Sequence, residues 1–439
     1  MIGASLSPLE AALILFGLFF LLMFLRVPVA FALGLACLPI LAIEPRLDTV
    51  TLMQETFNAY NSFILLAVPL YLLTANIMNI GGTTDRLMRL SRAIVGHFPG
   101  SLAQINVVLS MFFAGISGSA TADAASQSKL FIEAQTREGY DKSFSVAITA
   151  VSAVLAVIIP PSIVMIVWGG ILTVSIGALF LAGILPGLLV GLAQMATVHA
   201  YATRRGYKTY ARSTWGEFFN ALWISIPALM TPAIIIGGKI FGLFTATEAA
   251  CIAVLYAGVL SIIVYREMNA KGLYEALLDT GKLTGITLFC VGTASTFGWL
   301  LAYYKIPEAI LAGVTSWGMG FIATGFFIAA VFLVVGCFLD AIPAIIICAP
   351  ILEPLTKTVG MDPVHFAIIS IVSLAFGLVT PPYGLCLLIA CSVAGIRMRE
   401  ALRDTFIMLM PMVLVLALVI IFPEVSLTIP RLIAPDFLR

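Results

Sequence analysis

Long apolar runs alternate with short polar interruptions along the chain. Eight of these runs have about the 20 residues that a helix needs to cross the hydrocarbon core of a bilayer. The pattern therefore predicts an all-α polytopic membrane protein, with spans at 9–25, 27–43, 62–80, 176–201, 218–238, 243–265, 283–302 and 406–422.

Several segments between these runs are too polar to be spans. Segments 44–60 and 304–317 are predicted to be interfacial, and 266–282 is predicted to be a cytoplasmic loop. Segment 83–98 has apolar residues between basic positions at helical spacing, which is typical of an amphipathic helix on a membrane surface. Its basic positions are Arg86, Arg89 and Arg92.

Four apolar segments are interrupted near their middle. Segments 101–137 and 321–358 contain glycine at 115–119 and 336–340, which predicts two re-entrant hairpins with these tips. Segments 140–171 and 363–395 contain double prolines, which predicts two discontinuous helices. Because proline cannot donate a backbone hydrogen bond, carbonyls upstream of it lose their partners. Such carbonyls are tolerated in a membrane only where they line a cavity or bind something.

The interruptions recur at the same positions when the chain is aligned with itself, without gaps, so that Gly115 matches Gly336. We call this alignment the repeat register. This predicts an internal duplication, with a first repeat at 1–203, a cytoplasmic linker at 204–216 and a second repeat at 217–439. Interrupted segments at matching positions in two inverted halves are typical of a transporter whose site lies at the repeat interface. The further matching positions are Gly139 and Gly360, Asp141 and Asp362, Ser152 and Ser373, and Pro160-Pro161 and Pro381-Pro382.

The distribution of positive charge predicts the orientation. No basic residue precedes the first run and Arg26 follows it, which favours an outside N-terminus over a cleaved signal peptide. The predicted topology also places the C-terminus outside and 17 of the 23 Lys and Arg residues on the cytoplasmic side. The six basic residues left outside are Arg46, Lys239, Lys305, Lys357, Arg431 and Arg439.

Composition excludes several other classes of protein. The 439 residues are 61% hydrophobic and 10% charged, a balance that soluble domains do not have. A net charge of +1 argues against a nucleic-acid partner. Seven cysteines lie in apolar runs without ligand spacing, three histidines are scattered, and neither HExxH nor GxSxG occurs. These features argue against an intramembrane enzyme and against a transition-metal site.

Asp340 is the lone charge in the apolar run 331–350. A carboxylate there costs roughly 2.5–3.5 kcal/mol on insertion scales unless it faces protein, water or a cation. Gly336 and Pro343 flank it, so we expect the helix to break here. Asp340 is therefore a candidate ion or substrate site at mid-membrane, and the alternative is a buried Asp that caps a helix.

Each half offers one hairpin tip and one proline break that could supply oxygen ligands. Hydroxyl, carboxylate and carbonyl oxygens are what a hard cation prefers, and two related sites predict at least two bound cations. The candidate cation ligands are Ser117, Ser119, Asp123, Ile159, Pro161, Gly336, Asp340, Val379, Thr380 and Pro381. Candidate contacts for a substrate at the same breaks are Gly118, Ser162, Pro382 and Tyr383.

Structural alternatives stay open for several of these residues. Ser117 and Ser119 could be small residues for close helix packing. Asp123 lies one helical turn beyond Ser119 and could cap the helix. Glu248 is either structural or in contact with the pathway. Lys305, beside two tyrosines near the outer face, could contact an anion or anchor the interface.

At these motifs the sequence resembles the large transmembrane subunit of TRAP (tripartite ATP-independent periplasmic) transporters, which are DctM-like. The resemblance covers nearly the whole chain and is carried by FAGISGSATADA at 113–124, IIPPS at 158–162, GCFLDAIPAIIICAPIL at 336–352 and LVTPPYG at 378–384. It implies a bacterial inner-membrane symporter that imports an organic acid, usually a carboxylate, with a sodium gradient. It also implies sodium-site roles for the candidate cation ligands.

The resemblance further implies an elevator-type mechanism, in which a mobile domain carrying both hairpins moves against a scaffold. The implied partners are a small four-helix membrane subunit and a periplasmic substrate-binding protein. We expect the small subunit to be a separate chain, because no extra helices precede Leu9. The rival functions are a stand-alone divalent-anion/sodium symporter and a channel. The identity of the acid is not predicted, since neither tip nor proline break contains arginine.

Overall fold

A computed structural model describes residues 6–44, 46–315 and 317–438, and within these ranges every regular element is a helix. Arg439, which the predicted topology places outside, lies beyond the described residues. The α-helices are α1 Pro8–Phe24, α2 Val29–Ile43, α3 Thr49–Tyr60, α4 Ala67–Ile80, α5 Thr83–Val95, α6 Ser101–Ser117, α7 Ala120–Arg137, α8 Lys142–Ala153, α9 Leu155–Ile158, α10 Ile163–Leu172, α11 Ile176–Arg205, α12 Trp215–Ile240, α13 Ala246–Val259, α14 Ala270–Tyr303, α15 Ile306–Thr315, α16 Phe321–Gly336, α17 Ala341–Thr358, α18 Pro363–Gly377, α19 Leu385–Ala394, α20 Met398–Ile421 and α21 Glu424–Ile433.

Within the described residues, seven helices are long and apolar enough to cross a membrane. The number is eight if the bent pair formed by Lys142–Ile158 and Ile163–Leu172 counts as one span. The prediction of an all-α polytopic membrane protein is confirmed. The set of spans differs from the predicted one, because α1 and α2 are shorter apolar helices and α17, which was predicted to be part of a hairpin, is among the seven. Both hairpins and both discontinuous helices are also present, because α6–α7 and α16–α17 are separate helices and the double prolines separate α9 from α10 and α18 from α19.

Three predicted boundaries are wrong. The predicted loop 266–282 is mostly helical, because α14 begins at Ala270, where Asn269 accepts a hydrogen bond from the Gly272 N–H at 2.8 Å. The charged residues there form the polar end of one 34-residue helix. The linker predicted at 204–216 is shortened because α11 extends to Arg205 and α12 starts at Trp215. The first hairpin tip is narrower than predicted.

Helix α13 decides between the two alternatives for Glu248, and helix α21 is an element that the sequence did not predict. Glu248 closes a capping box at the start of α13, with its carboxylate 2.7 Å from the Thr245 N–H, which supports its structural role. Helix α21 was not predicted. It is amphipathic, and it buries Ser426, Leu427 and Pro430 against the rest of the chain.

The helices form two groups that differ in burial. The core group consists of α6–α11 and α16–α20, in which α7 packs against α8 and α19, α16 packs against α18, and α11 packs against α20. Every residue of α18 after Pro363 is buried. The peripheral group consists of α1–α4 and α12–α14, in which α4 packs against α13 and α14. The two groups meet where α14 packs against α17 and where α4 and α12 pack against α6.

The helix bounds of the core group follow the repeat register found in the sequence. Helices α7 and α17 begin at Ala120 and Ala341 and end at Arg137 and Thr358, and both pairs of residues match in that register. Helices α8 and α18 also begin at matching positions. This correspondence supports the duplication, while the inverted relation of the two halves stays a prediction.

The predicted amphipathic helix is α5, and one of its arginines joins it to the peripheral group. Arg86 lies 2.8 Å from the Glu267 carboxylate and 3.6 Å from the centre of the Tyr265 ring. The Ser225 hydroxyl donates to the Arg86 carbonyl at 3.0 Å, which links α5 to α12. At least one arginine of this amphipathic helix therefore makes contacts within the protein instead of facing the membrane surface.

The segment between α11 and α12 is tied to the ends of the first hairpin and of α8. The Tyr207 hydroxyl donates to Asp141 at 2.6 Å, and the Tyr210 hydroxyl donates to Glu138 at 2.5 Å. Burial raises the pKa of both phenols, so both remain protonated donors at neutral pH. The connection between the two halves is thereby fixed against the core group.

Candidate functional site

The tip of the first hairpin consists of Gly118 and Ser119, and it lies against the proline break of the same half. Gly118 adopts a left-handed conformation with φ of 61°, and its carbonyl accepts a hydrogen bond from the Ile163 N–H at 3.3 Å. A Cβ at Gly118 would be 2.9 Å from the Pro161 carbonyl oxygen. Gly115, which was predicted at the tip, lies inside α6.

The tip of the second hairpin, 337–340, lies against its own proline break in the same way. The Cys337 carbonyl accepts a hydrogen bond from the Tyr383 N–H at 3.1 Å. Behind the tip, a Cβ on Gly377 would be 2.6 Å from the Gly336 Cα, so the two backbones touch. Gly336 therefore provides close packing of α16 on α18. Each half thus joins a hairpin tip to a broken helix through backbone contacts.

The two tips meet at one cavity of about 60 Å³. It is lined by Gly118–Ala122 from the first hairpin, by Asp340–Ile342 from the second, and by Leu283 and Thr287 from α14. The first turns of α7 and α17 both lie at this cavity. Helix N-termini carry unpaired N–H groups and a partial positive charge, so two of them facing one space favour an anion. The lining contains no Lys, Arg or His among the described residues.

Asp340 is the N-cap of α17 and lines the cavity. Its Oδ1 accepts a hydrogen bond from the Ala341 N–H at 2.8 Å, which is the capping role considered as the alternative. A carboxylate at a helix N-terminus is stabilised by the helix dipole and keeps further lone pairs for a cation. Capping and cation binding are therefore compatible at Asp340.

Asp123 lies one helical turn deeper than the tip, in the first turn of α7. It is 2% exposed, and the Ser117 hydroxyl faces its carboxyl group. Its Oδ2 has no hydrogen-bond partner among the residues that the structure describes. Asp123 does not cap α7, because the N-cap is Ser119, which accepts from the Ala122 N–H at 3.4 Å. A buried carboxylate oxygen without a hydrogen-bond partner is costly, and a bound cation offsets that cost.

The proline breaks supply backbone next to both tips. Ile159 ends α9 in an extended conformation, and Val379 is fully buried between α18 and α19. The Thr380 hydroxyl donates to the Phe376 carbonyl at 2.7 Å, which leaves its oxygen lone pairs as acceptors. Both double-proline bonds, Pro160-Pro161 and Pro381-Pro382, are cis.

The four candidate substrate contacts have different surroundings. Gly118 lines the tip cavity, whereas Ser162, Pro382 and Tyr383 are not among its lining residues. Ser162 is fully buried, donating to the Val157 carbonyl at 2.8 Å and capping α10. Pro382 and Tyr383 are exposed.

Sequence reasoning did not identify Thr121 at the tip or the peripheral side of the cavity. Thr121 at the tip, Val68 on α4 and Leu283 and Thr287 on α14 line the cavity. Thr121 stands inside the FAGISGSATADA motif and could have been singled out by its hydroxyl. The other three lie within uninterrupted spans, where no break or unpaired charge distinguishes them.

Two hairpins whose tips share a cavity beside two broken helices define a secondary membrane transporter. The model of the tripartite ATP-independent periplasmic transporter DctM component matches residues 16–425. The chain belongs to this family. Members work with a small membrane subunit and a periplasmic binding protein in the bacterial inner membrane, so the chain is a multi-pass subunit of a binding-protein-dependent secondary transporter.

Individual relatives match along almost the whole chain. The chain is 36% identical to the C4-dicarboxylate TRAP transporter large permease protein DctM of Pseudomonas aeruginosa, covering 91% of this chain and 94% of that protein. It is 34% identical to the sialic acid TRAP transporter large permease protein SiaM of Vibrio cholerae, covering 94% and 96%. These relatives are transporter permeases and not enzymes.

A solved structure has a similar fold. The YdaH transporter of Alcanivorax borkumensis superposes with a TM-score of 0.59 over 93% of this chain and 99% of that chain, at 15% identity. At this identity the likeness concerns the fold alone.

Proposed function

We propose that this chain is the membrane subunit that carries the substrate in a sodium-coupled importer of an organic acid, with delivery by a periplasmic binding protein. The observation that carries the proposal is the convergence of the α7 and α17 N-termini, with Ser119 and Asp340, on one cavity. An acidic cap and hydroxyls favour a hard cation there, and the N–H groups of the first turns favour a carboxylate.

The names of the relatives support an organic acid as the cargo. The sequence is 35% identical to the 2,3-diketo-L-gulonate TRAP transporter large permease protein YiaN of Escherichia coli, and the relatives described above are named for C4-dicarboxylate and sialic acid. All three cargoes are organic acids. The lack of Lys, Arg or His at the tip cavity among the described residues means that helix N-termini and bound cations would hold the carboxylate.

Sodium binding would precede binding of the acid. Sodium at Asp123, with Ser117 and the backbone near Ile159 and Pro161, would supply the partner that the Asp123 Oδ2 lacks. A second ion at Asp340 would use the backbone of the second proline break and the Thr380 hydroxyl. Both ions would reduce the negative charge of the tips, and the acid would then dock on a site that is less repulsive toward anions.

Transport of the acid requires the site to widen. The cavity of about 60 Å³ has room for a few water molecules and is too small for a dicarboxylate. Its walls come from both helix groups, since Val68 and Thr287 are peripheral while Ser119 and Asp340 belong to the core group. Movement of the core group against α4 and α14 would therefore open it, as in an elevator.

Two larger clefts lie between the helix groups. A cleft of about 430 Å³ follows α17 beyond the tip, between Ile346–Ile351 and Trp299 of α14. Another of about 370 Å³ follows α7, between Ser126–Leu130 and Asn79 of α4. With both termini outside, as the charge distribution predicts, the first cleft would face the periplasm and the second the cytoplasm. They are suited to be the entry and exit vestibules.

A reconstituted uptake assay tests the proposal. The acid is first identified by thermal shift of the cognate binding protein with succinate, sialic acid, 2,3-diketo-L-gulonate and related acids. Proteoliposomes holding this chain and its small subunit are then supplied with the binding protein and that acid. Uptake should require an inward sodium gradient, and equal uptake with potassium would refute sodium coupling. Equal uptake without the binding protein would favour a stand-alone sodium symporter.

A further inference from the structure

A buried network of polar side chains lies behind the first hairpin tip, outside the cavity. The Ser110 hydroxyl on α6 donates to the Gln127 Oε1 on α7 at 2.6 Å. The Asn106 amide on α6 donates to the Thr149 hydroxyl on α8 at 2.7 Å, and the Ser152 hydroxyl lies 3.3 Å from the Asn106 Oδ1. All of these residues are at most 2% exposed. The network therefore joins the hairpin to the broken helix.

Among the described residues of the second half, no matching network is present. In the repeat register, the positions of Asn106, Ser110 and Gln127 become apolar residues or cysteine. The positions of Thr149 and Ser152 become serines whose hydroxyls donate to carbonyls of their own helix, at 2.8 and 2.6 Å. The five equivalent residues are Phe327, Val331, Cys348, Ser370 and Ser373. The network thus serves something specific to the first hairpin.

Two residues on α7, one helical turn apart, each carry a side-chain atom with an unsatisfied hydrogen bond. The Gln127 Nε2 and the Asp123 Oδ2 are both buried, and neither has a hydrogen-bond partner within the described part of the chain. Residues at this spacing share a helix face, and a Gln–Asp pair there can form a hydrogen bond. Ser110 holds the other end of the Gln127 amide. Asp340 differs, because a backbone N–H, that of Ala341, donates to its carboxylate.

We infer that Gln127 is a positioning residue that donates a hydrogen bond to Asp123 when the first cation site is empty. The inference rests on the proposed function, since it gives Asp123 two alternating partners, sodium and the Gln127 amide. The amide carries no net charge and so cannot replace the ion fully. It reduces the cost of the unpaired carboxylate and holds the hairpin tip in place, so that the empty carrier can reorient.

This competition has a thermodynamic signature. A donor that binds Asp123 only in the empty state stabilises that state and opposes sodium. Its removal should destabilise the sodium-free protein while raising the apparent sodium affinity. A sodium ligand would have the opposite effect on affinity. A residue that serves packing alone would change stability equally with and without sodium.

The experiment is thermal unfolding of the full chain with its small subunit, titrated with sodium chloride at constant ionic strength with potassium chloride. Gln127→Leu is compared with Gln135→Leu, on the same helix but two turns further from Asp123. Gln135 is also fully buried, and its amide donates to the Leu102 carbonyl at 3.4 Å. Both variants remove a buried amide from α7, so they share the general cost of the substitution.

We expect Gln127→Leu to lower the unfolding temperature in potassium and to increase the apparent sodium affinity about tenfold, the effect of one hydrogen bond to a charged group. Gln135→Leu should leave the sodium affinity unchanged. Reduced or unchanged affinity in Gln127→Leu would overturn the inference. If Gln127→Leu does not fold, Ser110→Ala replaces it, because this change removes the hydrogen bond that holds the Gln127 Oε1. Ser110→Ala should also raise the sodium affinity, and an unchanged affinity would overturn the inference. If sodium does not raise the unfolding temperature of the wild-type protein, the proposed function itself is refuted.

Discussion

Ser119 and Asp340 occupy the same place in the two halves of the chain. They match in the repeat register, each is the N-cap of the second helix of a hairpin, and both line the same cavity. The first cap is a hydroxyl and the second is a carboxylate. The first half carries its carboxylate one turn deeper, at Asp123. The two cation sites that we propose therefore occupy matching positions, but the carboxylate is at the helix cap in the second half and one turn beyond the cap in the first.

Asp340→Asn should reduce the initial rate of uptake by at least about tenfold, equivalent to about 1.4 kcal/mol. The amide oxygen can still accept from the Ala341 N–H, so α17 keeps its cap while the site loses its charge. The measurement is sodium-driven uptake in proteoliposomes, normalised to the amount of folded protein.

Asp362→Asn is the matched control for that variant. Asp362 caps α18 in the same half, accepting from the Val364 N–H at 2.8 Å, and it is not among the lining residues of the tip cavity. The same change of charge at a helix N-terminus should alter uptake less than about twofold. Equal losses in the two variants would show that the effect of Asp340 is general to helix capping.

Asp123→Asn should raise the sodium concentration needed for half-maximal uptake by about tenfold, because the buried Oδ2 loses its charge. The change of shape is minimal, so the maximal rate at saturating sodium should fall less than the affinity. Ser128→Ala provides the control, since Ser128 is a buried, unpartnered hydroxyl on the same helix. An unaltered sodium dependence in Asp123→Asn would remove Asp123 from the site.

Gly118→Ala should destabilise the protein by about 1–2 kcal/mol for the left-handed backbone, and further because of contact with Pro161. Gly139→Ala isolates the backbone contribution, since Gly139 has φ of 89° and no atom within 4 Å of its added Cβ. Thermal unfolding should therefore show a larger loss for Gly118→Ala than for Gly139→Ala. Equal losses would mean that the tip does not depend on its contact with the proline break.

Thr287→Val should raise the KM for the acid about fivefold while leaving the sodium dependence unchanged. Thr287 is on the peripheral side of the cavity, where its hydroxyl can bond the substrate, and a neutral hydrogen bond contributes about 1 kcal/mol. Thr293→Val on the same helix is the control, because Thr293 bonds to its own helix at 3.2 Å. A KM that does not change would place the acid elsewhere.

The fold was largely predictable because membrane insertion constrains the sequence strongly. Apolar runs and double prolines indicated most of the helices and the breaks between them, while the duplication stays a prediction. Helix ends were less predictable. The polar start of α14 could not be distinguished from a loop, since a helix that leaves the membrane has no apolar face there to reveal it.

Residues at the tip cavity were predictable where the sequence contains an anomaly. Asp340 and the glycines at 118 and 336 stand out in apolar surroundings, and the structure places Asp340 and Gly118 at one cavity. Thr287 and Leu283 lie in an ordinary span, and their place at the cavity depends on the packing of α14 against the hairpins. Such tertiary contacts have no local sequence signal.

Equilibrium binding of radioactive sodium to the purified chain with its small subunit tests the central claim most directly, since it needs no knowledge of the acid. The account predicts saturable binding of at least two ions per chain in the wild type, loss of one class of sites in Asp340→Asn, and about tenfold weaker binding at another class in Asp123→Asn. Absence of saturable sodium binding, or binding unaffected by both variants, would contradict it.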